Sequence, residues 1–290
     1  MYSILLYYKY IPITDPERLK ADQIDLCAKL DLKGRIIVSR EGINGTVEGT
    51  KGSIQKYLEE MRRDVRFADI DFKESESNGK SFPRLSVKNR PEIVSLGTGT
   101  ETGEFKKGTY LSPEELQAWY DEGKEFTVID MRNDYEHEIG HFENSVRLPI
   151  KNFRDVPSAT DKLIDLKDKV VVNVCTGGVR CEKASSHLIK KGFKNVYQLH
   201  GGIVRYLEKF PDKKFKGSLY VFDGRVATKY ASPDKHVVVG RCATCGITSE
   251  RCVNCDYPEC HGHFVCCESC SQNGVFCSET CRDKMISRVV

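Results

Sequence analysis

Residues 170–188, VVVNVCTGGVRCEKASSHL, restrict the fold of this chain more than any other stretch. An apolar run ends on Cys175, two glycines allow a tight turn, and a helical pattern begins at once. A short run apolar on every side is a strand buried on both faces, which belongs in a parallel sheet flanked by helices. The neighbouring segments keep the alternation going. SPEELQAWYDEG opens with a capping box from Ser112 to Glu115, FTVID is a short buried strand, EKASSHLIKKG is a helix closed by Gly192, and NVYQL is another strand.

Cys175 therefore sits at the carboxyl end of a parallel strand, where α/β ligand sites form. Thr176, Gly177, Gly178 and Val179 curl around it. Glycine lets the backbone turn its N–H groups inward, making an anion-sized nest beside a helix N-terminus. That setting favours thiolate over thiol, the state a nucleophilic or sulfur-carrying cysteine needs. Arg180 braces the loop or clamps an anionic substrate. A lone cysteine on a strand is more often inert, but strand, nest, arginine and helix coincide here. Cys181 comes next; it either resolves a persulfide or sulfenate on Cys175 or points elsewhere, and the residues leave both open.

Upstream, the pattern reads strand, helix, hairpin, helix, strand. Residues 2–12 are a first strand, with no basic leader or cleavage site to mark a signal peptide. Residues 15–32 have helical spacing, RIIVSREGINGTVEG predicts a hairpin around Asn44-Gly45, SIQKYLEEMRRD a second helix and FADIDFKES a further strand. This βαββαβ order predicts a ferredoxin-like sandwich. Residues 96–111 are rich in Gly and Thr and read as a linker. The expected division is a ferredoxin-like domain at 1–95, that linker, an α/β domain at 112–212, a basic connector at 213–241 and a Cys-rich tail at 242–290. A net charge of +3 singles out no partner, and no stretch approaches the roughly 18 apolar residues that cross a bilayer. Between Arg205 and Arg241 nine Lys/Arg face four Asp/Glu, with aromatic residues interleaved. Such a composition suits RNA, and equally a solvated linker.

Thirteen cysteines are spread unevenly, with ten between Cys242 and Cys281. Close pairs at one end point to metal ligation in a reducing compartment, the cytoplasm, not to a disulfide framework. Tetrahedral structural zinc takes four thiolates, so two ions need eight. The best set is Cys242, Cys245, Cys255, Cys260, Cys267, Cys270, Cys277 and Cys281, which leaves Cys252, Cys266, His261 and His263 over.

The thiol loop resembles that of the rhodanese superfamily. VIDMRNDYEHEIGHFENSVRLPI at 128–150 resembles its first signature, matching at Asp130, Arg132, Glu136, Gly140, His141 and Pro149; GFKNVYQLHGGI at 192–203 resembles its closing signature. The resemblance makes Thr176, Gly177, Gly178 and Val179 substrate-binding. Asp130 and Arg132 join them or form a structural ion pair. Four residues between Cys175 and Arg180 match the sulfur-handling members rather than the related phosphatases, whose loops are one residue longer.

CTGGVRCEKAS, GRIIVSREGINGTVEG and VKNRPEIVSLG together resemble the bacterial tRNA uridine hydroxylases, over nearly the whole chain. That resemblance implies an acylphosphatase-like N-terminal domain and hydroxylation of the wobble uridine at C5 by molecular oxygen. It also implies a reactive cysteine at Cys175 and a Cys-rich tail like that of the family's longer members. The implied partner is tRNA, with neither DNA nor a membrane involved; oligomeric state is left open. Two rivals follow from the same residues: a thiosulfate or persulfide sulfurtransferase, and a non-catalytic adaptor binding RNA or protein. An adaptor has no need of an intact Cys-x4-Arg loop.

Overall fold

The structure is a computed structural model and describes residues 1–97, 106–272 and 274–288. Alternation along the first strand, β1 (Tyr2–Tyr10), sets the first layer. Leu5 and Tyr7 enter a core covered by α1 (Pro16–Lys29) and, after β2 (Lys33–Ser39) and β3 (Gly42–Thr50), by α2 (Lys51–Arg63). Ile4, Leu6 and Tyr8 occupy the opposite, helix-free face. With β4 (Lys73–Ser77) and β5 (Leu85–Asn89) the sheet order is β4-β1-β3-β2-β5. This is the expected ferredoxin-like layer with one strand added, β5 running parallel to β2.

Two local expectations are corrected. The hairpin turn is Arg40-Glu41, because Ser39 pairs with Gly42, and Asn44-Gly45 lie inside β3. Gly45 answers a packing need instead: a Cβ there would sit 2.4 Å from the Tyr7 ring. Residues 67–72 are turn and irregular chain, with strand beginning only at Lys73, and burial of Phe67 and Ile70 in the core explains their apolar pattern.

The second unit has the predicted parallel sheet. Its elements are β6 (Thr109–Leu111), α3 (Pro113–Asp121), β7 (Thr127–Asp130), α4 (Asp134–Ile139), β8 (Gly140–Phe142), β9 (Val146–Arg147), α5 (Val156–Ala159), β10 (Val170–Val174), α6 (Val179–Lys190), β11 (Asn195–Leu199) and α7 (Gly202–Lys209). Strands run in the order β6-β11-β10-β7-β9, all parallel, with an apolar core on each face. Ser112 and Glu115 cap α3 reciprocally. Strand β6 falls inside the stretch read as linker, of which residues 98–105 lie outside the described residues.

Beyond α7 the chain doubles back. Strand β12 (Phe215–Gly217) pairs with β8, and β13 (Leu219–Tyr220) with β14 (Ala227–Thr228). Between these last two the chain reaches the first domain: Gly224 N–H donates to Ser81 O at 2.8 Å and Arg225 Nη1 to Ser75 Oγ at 3.0 Å. The tail contributes β15 (Cys252–Asn254), β16 (His263–Val265), α8 (Glu268–Ser271) and α9 (Glu279–Ile286) around a small sulfur-rich core. Among the described residues no helix is long and apolar enough to cross a membrane.

Candidate active site and metal centres

Strand β10 delivers Cys175 to the sheet's carboxyl edge with no exposed surface. Gly178, at φ +102°, turns its N–H toward the Cys175 sulfur at 3.2 Å. The start of α7 clamps the loop from outside, Ile203 N–H donating to Cys175 O at 2.9 Å and Val204 N–H to Thr176 O at 3.0 Å. Only glycine fits at 202, where φ is +72° and a Cβ would lie 2.6 Å from both Thr176 O and Gly178 N. The closing signature thus holds the thiol loop in shape.

Burial alone raises the Cys175 pKa, but the Cys181 thiol, the Arg180 charge and the N–H groups of residues 180 and 181 outweigh it. The net result is a fall to about 6. Cys181, equally buried, goes the other way: desolvation and the neighbouring sulfur push it well above its usual value. The pair is therefore a thiolate beside a neutral S–H donor. Arg180 is fixed by Glu136, donating Nη1 to Oε2 at 2.6 Å and Nη2 to Oε1 at 2.8 Å. Glu136 is fully buried at the start of α4, so this bidentate pair sets where the guanidinium stands.

Asp130 and Arg132 close on each other instead of facing a ligand. Arg132 donates Nε to Oδ1 at 2.9 Å and Nη2 to Oδ2 at 2.6 Å, and Nη2 also reaches Gly140 O at 2.6 Å. Both are about 1% exposed, and neither borders the cavity described next. Their geometry is that of the structural ion pair, and the substrate-contact alternative finds no surface here.

A cavity of about 410 Å³ opens beside the thiol loop. Thr176, Gly177, Val179 and Arg180 form one wall; Gly178 instead faces the sulfur. The opposite wall is the helix-free face of the N-terminal sheet, and the 221–230 segment supplies Phe222, Arg225 and Tyr230. This second wall was missed from sequence. Tyr10 Oη donates to Val179 O at 3.1 Å, and Tyr8 Oη to Glu182 Oε1 at 3.3 Å. Buried Lys183 of α6 bonds Glu41 at 2.8 Å and Glu92 at 2.6 Å, both in the first domain. The available signal was a charge in each of the three family-like strings, CEKAS, SREG and NRPE.

In the tail, the eight predicted ligand cysteines fall into two groups, Cys242, Cys245, Cys267 and Cys270, and Cys255, Cys260, Cys277 and Cys281. Within each group the sulfurs all lie within 4.8 Å of one another. Sulfur pairs at 3.7, 3.4 and 3.6 Å lie just below the edge of about 3.8 Å that a tetrahedron of 2.3 Å Zn–S bonds requires. Burial opposes ionisation of Cys242, yet the N–H groups of Cys267, Cys245 and Thr244 bring it down to about 5, as a ligand thiolate needs. The groups interleave along the chain, each closed by residues either side of the other's. Cys252, Cys266, His261 and His263 belong to neither; His263 stacks on Tyr135 at 4.9 Å between centroids.

A strand-end thiolate in a Cys-x4-Arg loop, walled by a ferredoxin-like sheet, defines a rhodanese-type thiol enzyme with an acylphosphatase-like companion. Comparison with known proteins agrees: residues 2–93 match the UPF0176 acylphosphatase like domain, 112–209 the Rhodanese-like domain and 216–282 the Rhodanase C-terminal family. A tRNA uridine(34) hydroxylase of Cytophaga hutchinsonii is 41% identical over 283 residues, covering 97% of this chain and 90% of that protein. Another, of Aster yellows witches'-broom phytoplasma, is 44% identical over 273 residues, covering 92% and 87%. The chain belongs to the tRNA uridine(34) hydroxylase family. Among solved structures, the rhodanese-like domain of an Anabaena protein aligns at TM-score 0.32 and 20% identity, over 37% of this chain and 78% of that one.

Proposed function

We propose that this chain hydroxylates C5 of the wobble uridine of tRNA with molecular oxygen, Cys175 being the reacting thiolate. The observation that carries this reading is the Cys175 sulfur held by the Gly178 N–H at 3.2 Å, in a loop whose Thr176, Gly177, Val179 and Arg180 wall the cavity. Cavities of about 300–1,000 Å³ suit single small molecules, so this one suits a nucleotide turned out of an RNA loop. Thiolate addition at uracil C6 makes C5 electron-rich, and C5 is the carbon that takes the oxygen. One oxygen atom stays on C5 and the other leaves as water, with two electrons and two protons drawn from an external reductant; loss of the C5 proton then expels the Cys175 thiolate and restores the ring double bond.

Arg180 and the loop N–H groups hold the negative charge on sulfur before attack and after release. Thr176, Gly177 and Val179 shape the wall that the base meets. Cys181 acts as the S–H donor to the thiolate, so Cys181→Ser, which keeps a donor, costs less activity than Cys181→Ala. The two cysteine groups hold structural zinc, four thiolates to each ion with no position left open for chemistry. A tRNA substrate and a set of cysteines that works reduced both support a cytoplasmic location.

The test is Cys175→Ser, which keeps the side chain's size and removes the thiolate. In cells lacking the wild-type gene, 5-hydroxyuridine and its derivatives should stay absent from tRNA when this variant is supplied, while the purified variant still binds tRNA. Full restoration of the modification by Cys175→Ser would sink the thiol mechanism.

A further inference from the structure

We propose that Asn44 is the residue that tells uridine from cytidine; this rests on the reaction proposed above and names its base-reading contact. Asparagine is poorly suited to the middle of a central strand, and Asn44 is not the turn residue that its Asn-Gly pairing promised. It lies on the helix-free face of the sheet, in the same cross-strand row as Tyr8 and Ile37, and all three border the cavity. Tyr8 is the residue of that row that touches the thiol loop, since a Cβ on Gly178 would lie 2.8 Å from its hydroxyl.

The Asn44 carboxamide has a fixed orientation. Its Nδ2 donates to Ile93 O at 3.1 Å, and among the described residues its Oδ1 receives no hydrogen bond. One wall of the cavity therefore presents an oriented acceptor, and the wall across from it presents the thiol loop.

Pyrimidine geometry joins the two. In the six-membered ring N3 lies directly across from C6. When C6 turns toward Cys175, N3 turns toward the sheet. Uracil carries a hydrogen on N3 and donates it to Asn44 Oδ1. Cytosine has a lone pair at N3, which meets the same oxygen with repulsion and leaves it unpaired in a desolvated site. The base is thus read on its Watson–Crick edge while the opposite edge reacts.

The experiment uses full-length, metal-loaded protein and two anticodon stem-loop RNAs that differ only in carrying uridine or cytidine at position 34. Affinities are measured in the Cys175→Ser background and hydroxylation in the native one, with melting temperatures recorded for each variant. Asn44→Ala should weaken uridine RNA binding roughly tenfold to a hundredfold and tighten cytidine RNA binding, because the repelling oxygen is gone. Asn44→Asp, which keeps an acceptor but loses the bond to Ile93, should retain most of the preference. If Asn44 only secures Ile93, both variants lose affinity for both RNAs equally and the ratio stays at its wild-type value; that result overturns the inference. Wild-type protein that hydroxylates no tRNA would instead overturn the reaction beneath it.

Discussion

Cys175 stands singly at the end of β10, without exposed surface, its charge matched by Arg180 and by backbone N–H groups. The eight grouped tail sulfurs stand in fours, two of them exposed, on short elements with a small core. In the first region the fold is complete before the sulfur does anything, because two apolar cores hold the sheet. In the second the sulfurs are themselves much of the core. A cysteine's role is therefore set by what surrounds it: an organised loop makes a reagent, and a weakly supported cluster makes a ligand set.

Metal removal tests that contrast most severely. Structural zinc supplies roughly 10–16 kcal/mol of apparent folding energy in small domains. Chelation should release about two zinc ions per chain and expose residues 242–288 to hydrogen exchange, with the parallel sheet still protected. A tail that keeps its protection after losing metal would break the comparison.

Next in size is the joint between the domains. Lys183→Met leaves buried Glu41 and half-buried Glu92 without their cation, and removing one member of a buried charge cluster costs up to about 3–5 kcal/mol. Denaturant titration should show that loss or a separate early transition of the first domain.

A smaller effect separates the two kinds of thiol by pH. Alkylation of Cys175 by iodoacetamide should rise with a midpoint near 6, since the thiolate is the reacting form, while metal-bound tail thiols stay protected. Because this folded-state pKa is depressed, its stabilising contribution is fully present only above the unfolded thiol value and is lost as pH falls through 6. Arg180→Lys removes the bidentate hold on Glu136, so the midpoint should move upward, each unit being about 1.4 kcal/mol. An unmoved midpoint would show that the loop N–H groups suffice.

The smallest change comes from Cys252→Ala. Outside both sulfur groups, this variant should keep the full metal content and lose no more than about 1–2 kcal/mol. Loss of one ion would redraw the ligand sets.

Sequence revealed most where chemistry is local. Strand, glycines and arginine around Cys175 adjoin in the chain, and CATC and CSETC carry their spacing on their face. The partition of the tail sulfurs was hidden because the groups interleave, and spacing does not say which pairs cross. Asn44-Gly45 imitated a turn because a glycine required by the Tyr7 ring looks like one required by a positive φ. The second wall of the cavity was out of reach for a further reason. The βαββαβ order puts both helices on one face of the first sheet, but nothing in residues 2–10 shows what covers the other.

Lys183 also bears on how such proteins can be recombined. Its ammonium belongs to one domain and both its carboxylates to another, so each half, separated, would carry ordinary charges in water. The penalty arises only on assembly with the wrong companion. A rhodanese-type domain with this lysine, grafted beside a first domain lacking Glu41 and Glu92, would have to bury a bare cation next to its own thiol loop. The ion cluster works as a compatibility check between modules: inheritance can exchange the pair together, and single-module swaps should be found only where residues 41, 92 and 183 change in concert.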